Sequence, residues 1–261
     1  MTTATPLFAL STASVYPDDV AHGFDYASRL GYDAVEVMVS IDSLSQSPTK
    51  VKALSEYYEV PVCAVHAPCL LITQRVWGTD PWVKLERSAE MAHVLGADVV
   101  VVHPPFRWQR DYADAFVDGI AGLEARTGIA FAVENMYPWR ASGRDLMMYA
   151  PGWDPTQHSY RNMTLDVSHA ATARMDSLEL AQRMGPGMRH LHLTDGLGSP
   201  RDEHLIPGRG SQPCAELLGH LSEEGFAGHI VVEINTRKAG SKSARDQDLL
   251  EALAFARLHW G

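Results

Sequence analysis

Residues 190–210, HLHLTDGLGSPRDEHLIPGRG, carry more potential metal ligands than any other stretch of this 261-residue chain. The part 188–193 (MRHLHL) alternates apolar side chains with His190 and His192. This is the two-residue period of a β-strand, and it places both imidazoles on one face. The remainder, up to Gly210, is rich in glycine, proline and charged residues, and a helical pattern follows it. The stretch therefore predicts a strand, a ligand-bearing loop and a helix, in that order.

The rest of the chain repeats this alternation of short β-rich runs and longer amphipathic segments. The predicted strands are 7–11, 34–39, 60–65, 98–102, 129–133, 163–165, 190–193 and 229–234. The predicted helices are 18–30, 49–57, 82–95, 112–127, 176–184, 214–224 and 244–259, with a shorter one at 142–149. Gly31, Gly96, Gly128 and Gly225 stand where a helix gives way to the next strand, as left-handed C-terminal glycines do. Eight such units predict one α/β domain over residues 1–261, a closed (β/α)8 TIM barrel.

A doubly wound open sheet is the alternative α/β architecture. It would place a glycine-rich phosphate-binding turn after the first strand. The sequence has SerThrAlaSerValTyr at 11–16 instead. The barrel is therefore favoured.

Composition excludes several classes of protein. Hydrophobic residues make up 46% of the chain and charged residues 21%, which is typical of a globular protein. No apolar run approaches the roughly 20 residues of a membrane-spanning helix, and a formal charge of −10 disfavours nucleic acid as a partner. Cys63, Cys69 and Cys214 form no paired motif, and the start MTTATP lacks a basic and apolar leader, which predicts a cytoplasmic protein. A homo-oligomer is compatible with this composition.

Six of the predicted strands end in an imidazole or a carboxylate, and a barrel gathers these ends at one face. In chain order the residues are His66, His103, Glu134, Asp166, His192 and Glu233. A lone histidine among valines is more often a hydrogen-bonded core residue than a ligand. Six ionisable strand ends together would bury charge without compensation, which costs free energy. Divalent cations bound by these nitrogen and oxygen ligands would remove that free-energy cost. We therefore predict a metal site.

In their order and spacing, these motifs resemble the xylose isomerase-like TIM barrels. That family includes sugar isomerases and epimerases as well as the endonuclease IV type of DNA repair enzyme. The resemblance covers about residues 7–259. It rests on HAP at 66–68, VVHP at 101–104, VEN at 133–135, LDVSHA at 165–170, HLTD at 192–195, DEHLIPGRG at 202–210 and VVEIN at 231–235. Each motif alone is weak, but the series is specific.

The isomerase and epimerase branch implies a small sugar or sugar phosphate as substrate and one divalent ion, Zn, Mn, Mg or Co. The implied ligands are Glu134, Asp166, His192 and Glu233. Glu134 and Glu233 would also be the catalytic pair, which removes and returns a proton next to a carbonyl. A non-catalytic sugar-binding barrel is a further alternative, disfavoured because both glutamates are present.

The endonuclease IV branch implies three zinc ions and hydrolysis of a phosphoester, either abasic-site DNA or a small molecule. Its ligands would be the four residues of the single-ion site together with His66, His103, His169, Asp202 and His204. With a single ion, His66 and His103 would instead bind substrate. Cys69 stands in HAPCLLI where the family's tyrosine is expected, and the loop 40–43 lacks arginine. Both departures argue against DNA as the substrate.

Three further residues are predicted to bind substrate. Trp139 and Arg140 lie in the long segment 136–161, whose aromatic rings suit a sugar and whose arginines suit a phosphate. Arg209 lies between two glycines, where backbone N–H groups would form a phosphate nest ahead of a helix. A tight turn explains the same glycines equally well.

Two further ionisable residues are expected to face the barrel interior, and one of them, His190, is expected one layer deeper than the site. His190 shares a face with His192 and is either a partner of a ligand or a core residue. Glu36, on the second predicted strand, is expected to face inward at about the height of the site, and a salt bridge to a neighbouring strand explains it as well as a role in the site.

Overall fold

The computed structural model describes residues 6–141 and 143–260. Its strands are β1 (Leu7–Ser11), β2 (Ala34–Met38), β3 (Val62–His66), β4 (Val99–Val102), β5 (Ala130–Glu134), β6 (Trp139–Ala141), β7 (Arg144–Leu146), β8 (Met163–Asp166), β9 (Met188–Leu193) and β10 (His229–Val232). All but β6 and β7 form a closed barrel in the order β1-β10-β9-β8-β5-β4-β3-β2, with every neighbouring pair parallel. The predicted (β/α)8 barrel is confirmed.

Helices cover the outside of the barrel. They are α1 (Val20–Leu30), α2 (Pro48–Tyr58), α3 (Pro81–Leu95), α4 (Arg110–Asp114), α5 (Phe116–Thr127), α6 (Val167–Thr172), α7 (Ser177–Met184), α8 (Cys214–Glu223) and α9 (Lys242–Trp260). Asp19, Asp80 and Asp176 cap α1, α3 and α7 by accepting hydrogen bonds from first-turn N–H groups. Within the described residues, no helix combines the length and apolar character needed to cross a membrane.

The barrel strands are apolar on both faces because helices bury one face and the barrel interior buries the other. β4 is four consecutive buried valines. The interior is lined low down by small residues such as Ala34, Ala64 and Ala132. Two positions further along each of these strands stand Glu36, His66 and Glu134. The two-residue period of the strands thus sets a small apolar layer beneath an ionisable layer.

The predicted short helix at 142–149 is wrong. β6 and β7 form an antiparallel hairpin in which Trp139 pairs with Leu146 and Ala141 pairs with Arg144. Gly143 has φ +73°, a left-handed conformation that suits a tight hairpin turn, while Ser142 lies outside the described residues. The hairpin projects from the connection between β5 and β8.

Two further differences concern helices near the site. The predicted helix 112–127 begins two residues earlier and is divided at Ala115 into α4 and α5. The short helix α6 was not predicted. It follows β8 directly, with Asp166 as its N-cap, and it carries His169.

Candidate metal centre

The carboxyl ends of the strands bring the predicted ligands together at one face. Asp166 pairs with His192 across β8 and β9, and His192 pairs with Val231 across β9 and β10. Glu233 follows two residues after Val231, so it lies one step closer to the mouth of the barrel. The register therefore stacks the site residues around the barrel axis.

Glu134, at the end of β5, is surrounded by four imidazoles. Its Oε2 lies 3.3 Å from His66 Nε2 and 3.0 Å from His103 Nε2. Its Oε1 lies 3.0 Å from His169 Nδ1 and 3.5 Å from His192 Nδ1. The carboxylate is only 1% exposed, so it faces side chains and not solvent.

A second group surrounds His192. Its Nδ1 lies 3.5 Å from Asp166 Oδ2, and its Nε2 lies 3.6 Å from Glu233 Oε2. Both His192 and Asp166 are fully buried, whereas the side chain of Glu233 is 12% exposed. Glu233 is therefore the member of this group that reaches the mouth of the barrel.

A third group comes from α6 and the loop after β9. Asp202 Oδ2 lies 3.2 Å from His169 Nε2 and 2.9 Å from His204 Nε2. Ser168 fixes this loop by donating to Asp202 Oδ1 at 2.6 Å and accepting from His204 N at 3.0 Å. His204 adopts φ +46°, a left-handed conformation that costs free energy in a non-glycine residue. Such strain concentrates at functional sites.

Backbone carbonyls determine which nitrogen of three histidines carries a proton. Nδ1 of His66 bonds Ala67 O at 3.1 Å, Nδ1 of His169 bonds Asn135 O at 2.9 Å, and Nδ1 of His204 bonds Glu233 O at 2.8 Å. A carbonyl oxygen only accepts, so each Nδ1 is the donor. In the neutral imidazole this leaves the Nε2 lone pair directed at a carboxylate, which is also an acceptor. A cation between the Nε2 atom and the carboxylate oxygen would bind both and remove the repulsion between the two lone pairs.

The distances and the unpaired atoms fit divalent cations. Four ligand atoms at about 2.0–2.1 Å from a tetrahedral ion lie roughly 3.3–3.4 Å from one another, close to the separations found here. Within the described residues, one atom each of Glu134, Asp166, His192 and Glu233 is buried without a hydrogen-bond partner. Four groups have ligand atoms within 4.8 Å of one another: His66, His103 and Glu134; Glu134, Asp166 and His192; Asp166, His169 and His204; Glu36, His190 and His192. All nine predicted ligands lie in or beside these groups.

The pKa values of Glu134 and Glu233 are shifted in opposite directions. Burial alone would raise the pKa of Glu134, but the imidazoles of His103, His192 and His169 outweigh burial and hold the pKa well below its ordinary value. Burial raises the pKa of Glu233, and the imidazoles of His192 and His204 offset this rise only in part. Glu134 is therefore suited to remain an anionic ligand, and Glu233 is the more basic of the two carboxylates.

A fully buried carboxylate supports His192 from the layer below. Glu36 Oε2 lies 3.2 Å from His192 Nε2 and 2.9 Å from His190 Nε2. The bond to His192 Nε2 leaves the Nδ1 lone pair directed at Asp166 and Glu134. Glu36 and His190 thus lie beneath the predicted ligands, and Glu36 contacts His192 directly. The sequence alone left a core salt bridge as an equal explanation.

Asn135 was not singled out in the sequence. Its Oδ1 accepts from Asp166 N at 2.7 Å, and its Nδ2 donates to Asp166 O at 3.0 Å. Its carbonyl also accepts from His169 Nδ1. The residue therefore aligns β5 with β8 and orients two ligands. The VEN motif at 133–135 placed it beside Glu134, and that position was the available signal.

A cavity of about 520 Å³ opens beside the cluster at Glu233, Asp202 and His204. Its volume is within the range of small-molecule sites. Apolar side chains, including Met38 and Leu70, form part of its wall.

The profile of a protein family described as xylose isomerase-like TIM barrel matches residues 24–259. The chain belongs to this family. An uncharacterised protein of Mycobacterium tuberculosis is 52% identical over 269 residues, with 96% of each chain covered. Fructoselysine 3-epimerase of Escherichia coli O157:H7 is 20% identical over 241 residues, covering 83% of this chain and 86% of that protein. The solved structure of a D-tagatose 3-epimerase-like protein superposes with a TM-score of 0.69 at 24% identity, covering 97% and 98% of the two chains.

In this xylose isomerase-like barrel, the hairpin residues pack against loops at the edge of the site. Trp139 packs near Phe106, with ring centroids 6.2 Å apart. Arg140 donates to the backbone carbonyls of Thr172 and Gly198. These bonds tie the hairpin to the last residue of α6 and to the loop after β9. The predicted substrate role of Trp139 and Arg140 remains a prediction.

The structure does not bring Arg209 to the cluster. Its guanidinium pairs with Glu251 on α9, and Asp248 lies 3.6 Å away. The N–H groups of Gly208 and Gly210 donate to Asp195 Oδ2 at 3.0 Å and 2.8 Å. A side-chain carboxylate thus occupies the place that a phosphate would take, and this geometry does not support substrate binding by Arg209.

Proposed function

We propose that this protein is a metal-dependent isomerase or epimerase of a small sugar or sugar phosphate, acting by proton transfer next to a carbonyl. The observation that carries the proposal is the cluster of imidazoles directed at carboxylates, with Glu233 at its open edge. The fructoselysine 3-epimerase relative and the D-tagatose 3-epimerase-like fold support this class of reaction.

Glu134, Asp166 and His192 would hold one divalent ion, because their ligand atoms lie within 4.8 Å of one another. Glu233, whose Oε2 is unpaired and lies 3.6 Å from His192 Nε2, would be the fourth ligand. When bound, such an ion polarises a substrate carbonyl and acidifies the neighbouring C–H bond. The substrate would enter through the cavity at Glu233. His66 and His103 contact Glu134 from the other side and would orient polar groups of the substrate or hold further ions.

Glu233 is the better base of the proposed catalytic pair. It borders the cavity, and burial raises its pKa above the ordinary value of a glutamate, so it holds a proton more readily than Glu134 does. Glu134 would return the proton from the other side of the substrate, but its lowered pKa and four imidazole neighbours make it the stronger ligand. We therefore assign proton removal to Glu233.

Exchange of a carbon-bound substrate hydrogen with deuterated water tests this assignment. The wild-type protein should catalyse exchange with at least one member of a panel of ketoses and their phosphates. Glu233→Gln should abolish it, because an amide cannot act as the base. Glu223→Gln, at an exposed position on α8, is the matched control. The metal content of each variant must be measured, because an emptied site would mimic loss of the base.

A second candidate is phosphoester hydrolysis at a site holding several ions. It is favoured by one observation: His66, His103, His169, Asp202 and His204 are all present and lie in or beside the groups around Glu134 and Asp166. Three ions per chain together with release of phosphate from a phosphoester, and no hydrogen exchange across the sugar panel, would replace the isomerase proposal with this one.

A further inference from the structure

A second cavity, of about 300 Å³, lies between the loops that follow β3 and β4. One wall is the stacked pair Phe106 and Trp108, whose ring centroids are 4.5 Å apart. His103 lines the cavity and also contacts Glu134 of the metal cluster. The cavity therefore borders the cluster on the side away from Glu233.

The charged side chains lining this cavity are all cationic. Arg75 and Lys84 line it, and none of its described lining residues is an aspartate or a glutamate. Burial raises the pKa of Cys69 to about 12, so its thiol adds no negative charge. A chain of formal charge −10 thus encloses a locally positive space.

Lys84 is the less expected of the two cations because its side chain is buried. Its Nζ donates to Thr73 O at 3.0 Å and to Gln74 O at 2.7 Å. An ammonium group has three protons, so one donor is left over. In the part of the chain that the structure describes, neither Lys84 nor Arg75 has a carboxylate within 4.0 Å. A buried cation without a counterion is costly, and an anion in the cavity offsets that cost.

We propose that this cavity binds a phosphate group, held by Lys84 and Arg75. A phosphate monoester carries a charge of roughly −1.5 to −2 at neutral pH, which matches two cations better than a single carboxylate does. The identification of this group as part of the substrate rests on the proposed function. The binding site itself does not.

The larger cavity at Glu233 is a poor place for a phosphate. Its wall includes Asp18, Asp19 and Asp42 in addition to the carboxylates of the metal cluster. Arg237 is its only arginine or lysine among the described lining residues, and it lies over the ring of Tyr16 at 4.8 Å. The charged side chains of the larger cavity are mainly negative and those of the smaller cavity are positive, so the phosphate is expected in the smaller one.

Calorimetric titration of the metal-loaded protein with inorganic phosphate tests the proposal. Phosphate should bind the wild-type protein, and Arg75→Gln and Lys84→Gln should each weaken binding roughly tenfold or more. Lys52→Gln on α2 removes the same charge from an exposed position outside the cavity and should leave binding unchanged. Arg75 is exposed, so its replacement should leave the melting temperature unchanged even if Lys84→Gln loosens the loop.

Three results would overturn the proposal. The first is that phosphate does not bind. The second is that phosphate binds but neither substitution weakens binding, as expected if the metal ions alone hold it. The third is that acetate binds in preference to phosphate. The titration involves no turnover. Intact phosphate binding without hydrogen exchange on any sugar would therefore count against the proposed function alone.

Discussion

Four histidines of the cluster are each oriented by an acceptor on one side and face a carboxylate on the other. His66, His169 and His204 donate through Nδ1 to backbone carbonyls, whereas His192 uses Nε2 to bond Glu36. Such partners fix the tautomer and the ring orientation before any ligand arrives. In their neutral form these imidazoles would direct lone pairs at positions where a cation could bind.

Glu36→Gln is expected to weaken metal binding about 10–100-fold, because the amide keeps the shape but removes the charge that makes His192 a better ligand. Competition between the protein and a fluorescent chelator for zinc measures this affinity. Glu90→Gln, at an exposed position on α3, is the control and should bind zinc like the wild-type protein. Equal affinities for the Glu36 variant and the control would reduce Glu36 to a core salt bridge.

At the level of elements, the sequence predicted the barrel because its strands are short apolar runs that end in ionisable residues. The strand ends at His66, Glu134 and His192 could be recognised because alternation along a strand fixes which residues share a face. The pairing of Arg209 with Glu251 could not be recognised from the sequence, because the two residues are far apart in the chain. The hairpin was mistaken for a helix because its strands are only three residues long. Helix α6 was not predicted because Asp166 was interpreted only as a site residue, whereas it is also the N-cap of this helix.

The hairpin β6–β7 is held to the barrel by Arg140, whose side chain is only 10% exposed. Arg140→Met removes the donors to Thr172 O and Gly198 O and should lower the free energy of opening the hairpin by roughly 1–3 kcal/mol. Hydrogen exchange should speed up in segment 139–146 and stay unchanged in the barrel strands. Arg144→Gln, on the exposed side of the same hairpin, is the matched control. Unchanged exchange in the Arg140 variant would mean that the aromatic contacts alone hold the hairpin.

For the molecule as a whole, closing the sheet is what concentrates the charges. Residues as distant in sequence as Glu36 and Glu233 meet His192 from different strands. Small side chains below and helices outside leave the cluster little access to water, so the charges interact strongly. The stability of the barrel should therefore depend on what neutralises them.

The metal-free and metal-loaded proteins should respond oppositely to pH. Burial alone would lower the pKa of His204, but Asp202 and Asp166 raise it to about 10 from an ordinary value of 6.5. Because this pKa is higher in the folded than in the unfolded protein, protonation of His204 stabilises the metal-free fold fully at pH values below 6.5. That stabilisation is lost as the pH rises through about 10. Metal binding requires unprotonated imidazole and strengthens over the same range.

The difference in melting temperature between loaded and chelator-treated protein should therefore widen from pH 6 to pH 9. His204→Gln should flatten the pH dependence of the metal-free protein. A difference in melting temperature that stays constant across this range would show that protons and metal ions do not compete for the cluster.

An anomalous difference map from crystals grown with zinc would show whether the strand-end ligands converge on a metal ion. We expect a peak within about 2.0–2.6 Å of ligand atoms from Glu134, Asp166, His192 and Glu233. Further peaks beside His66 and His103, and beside Asp202 and His204, would mark a site with several ions. A map without a peak at these side chains, from crystals grown with zinc or with manganese, would mean that they do not form a metal site.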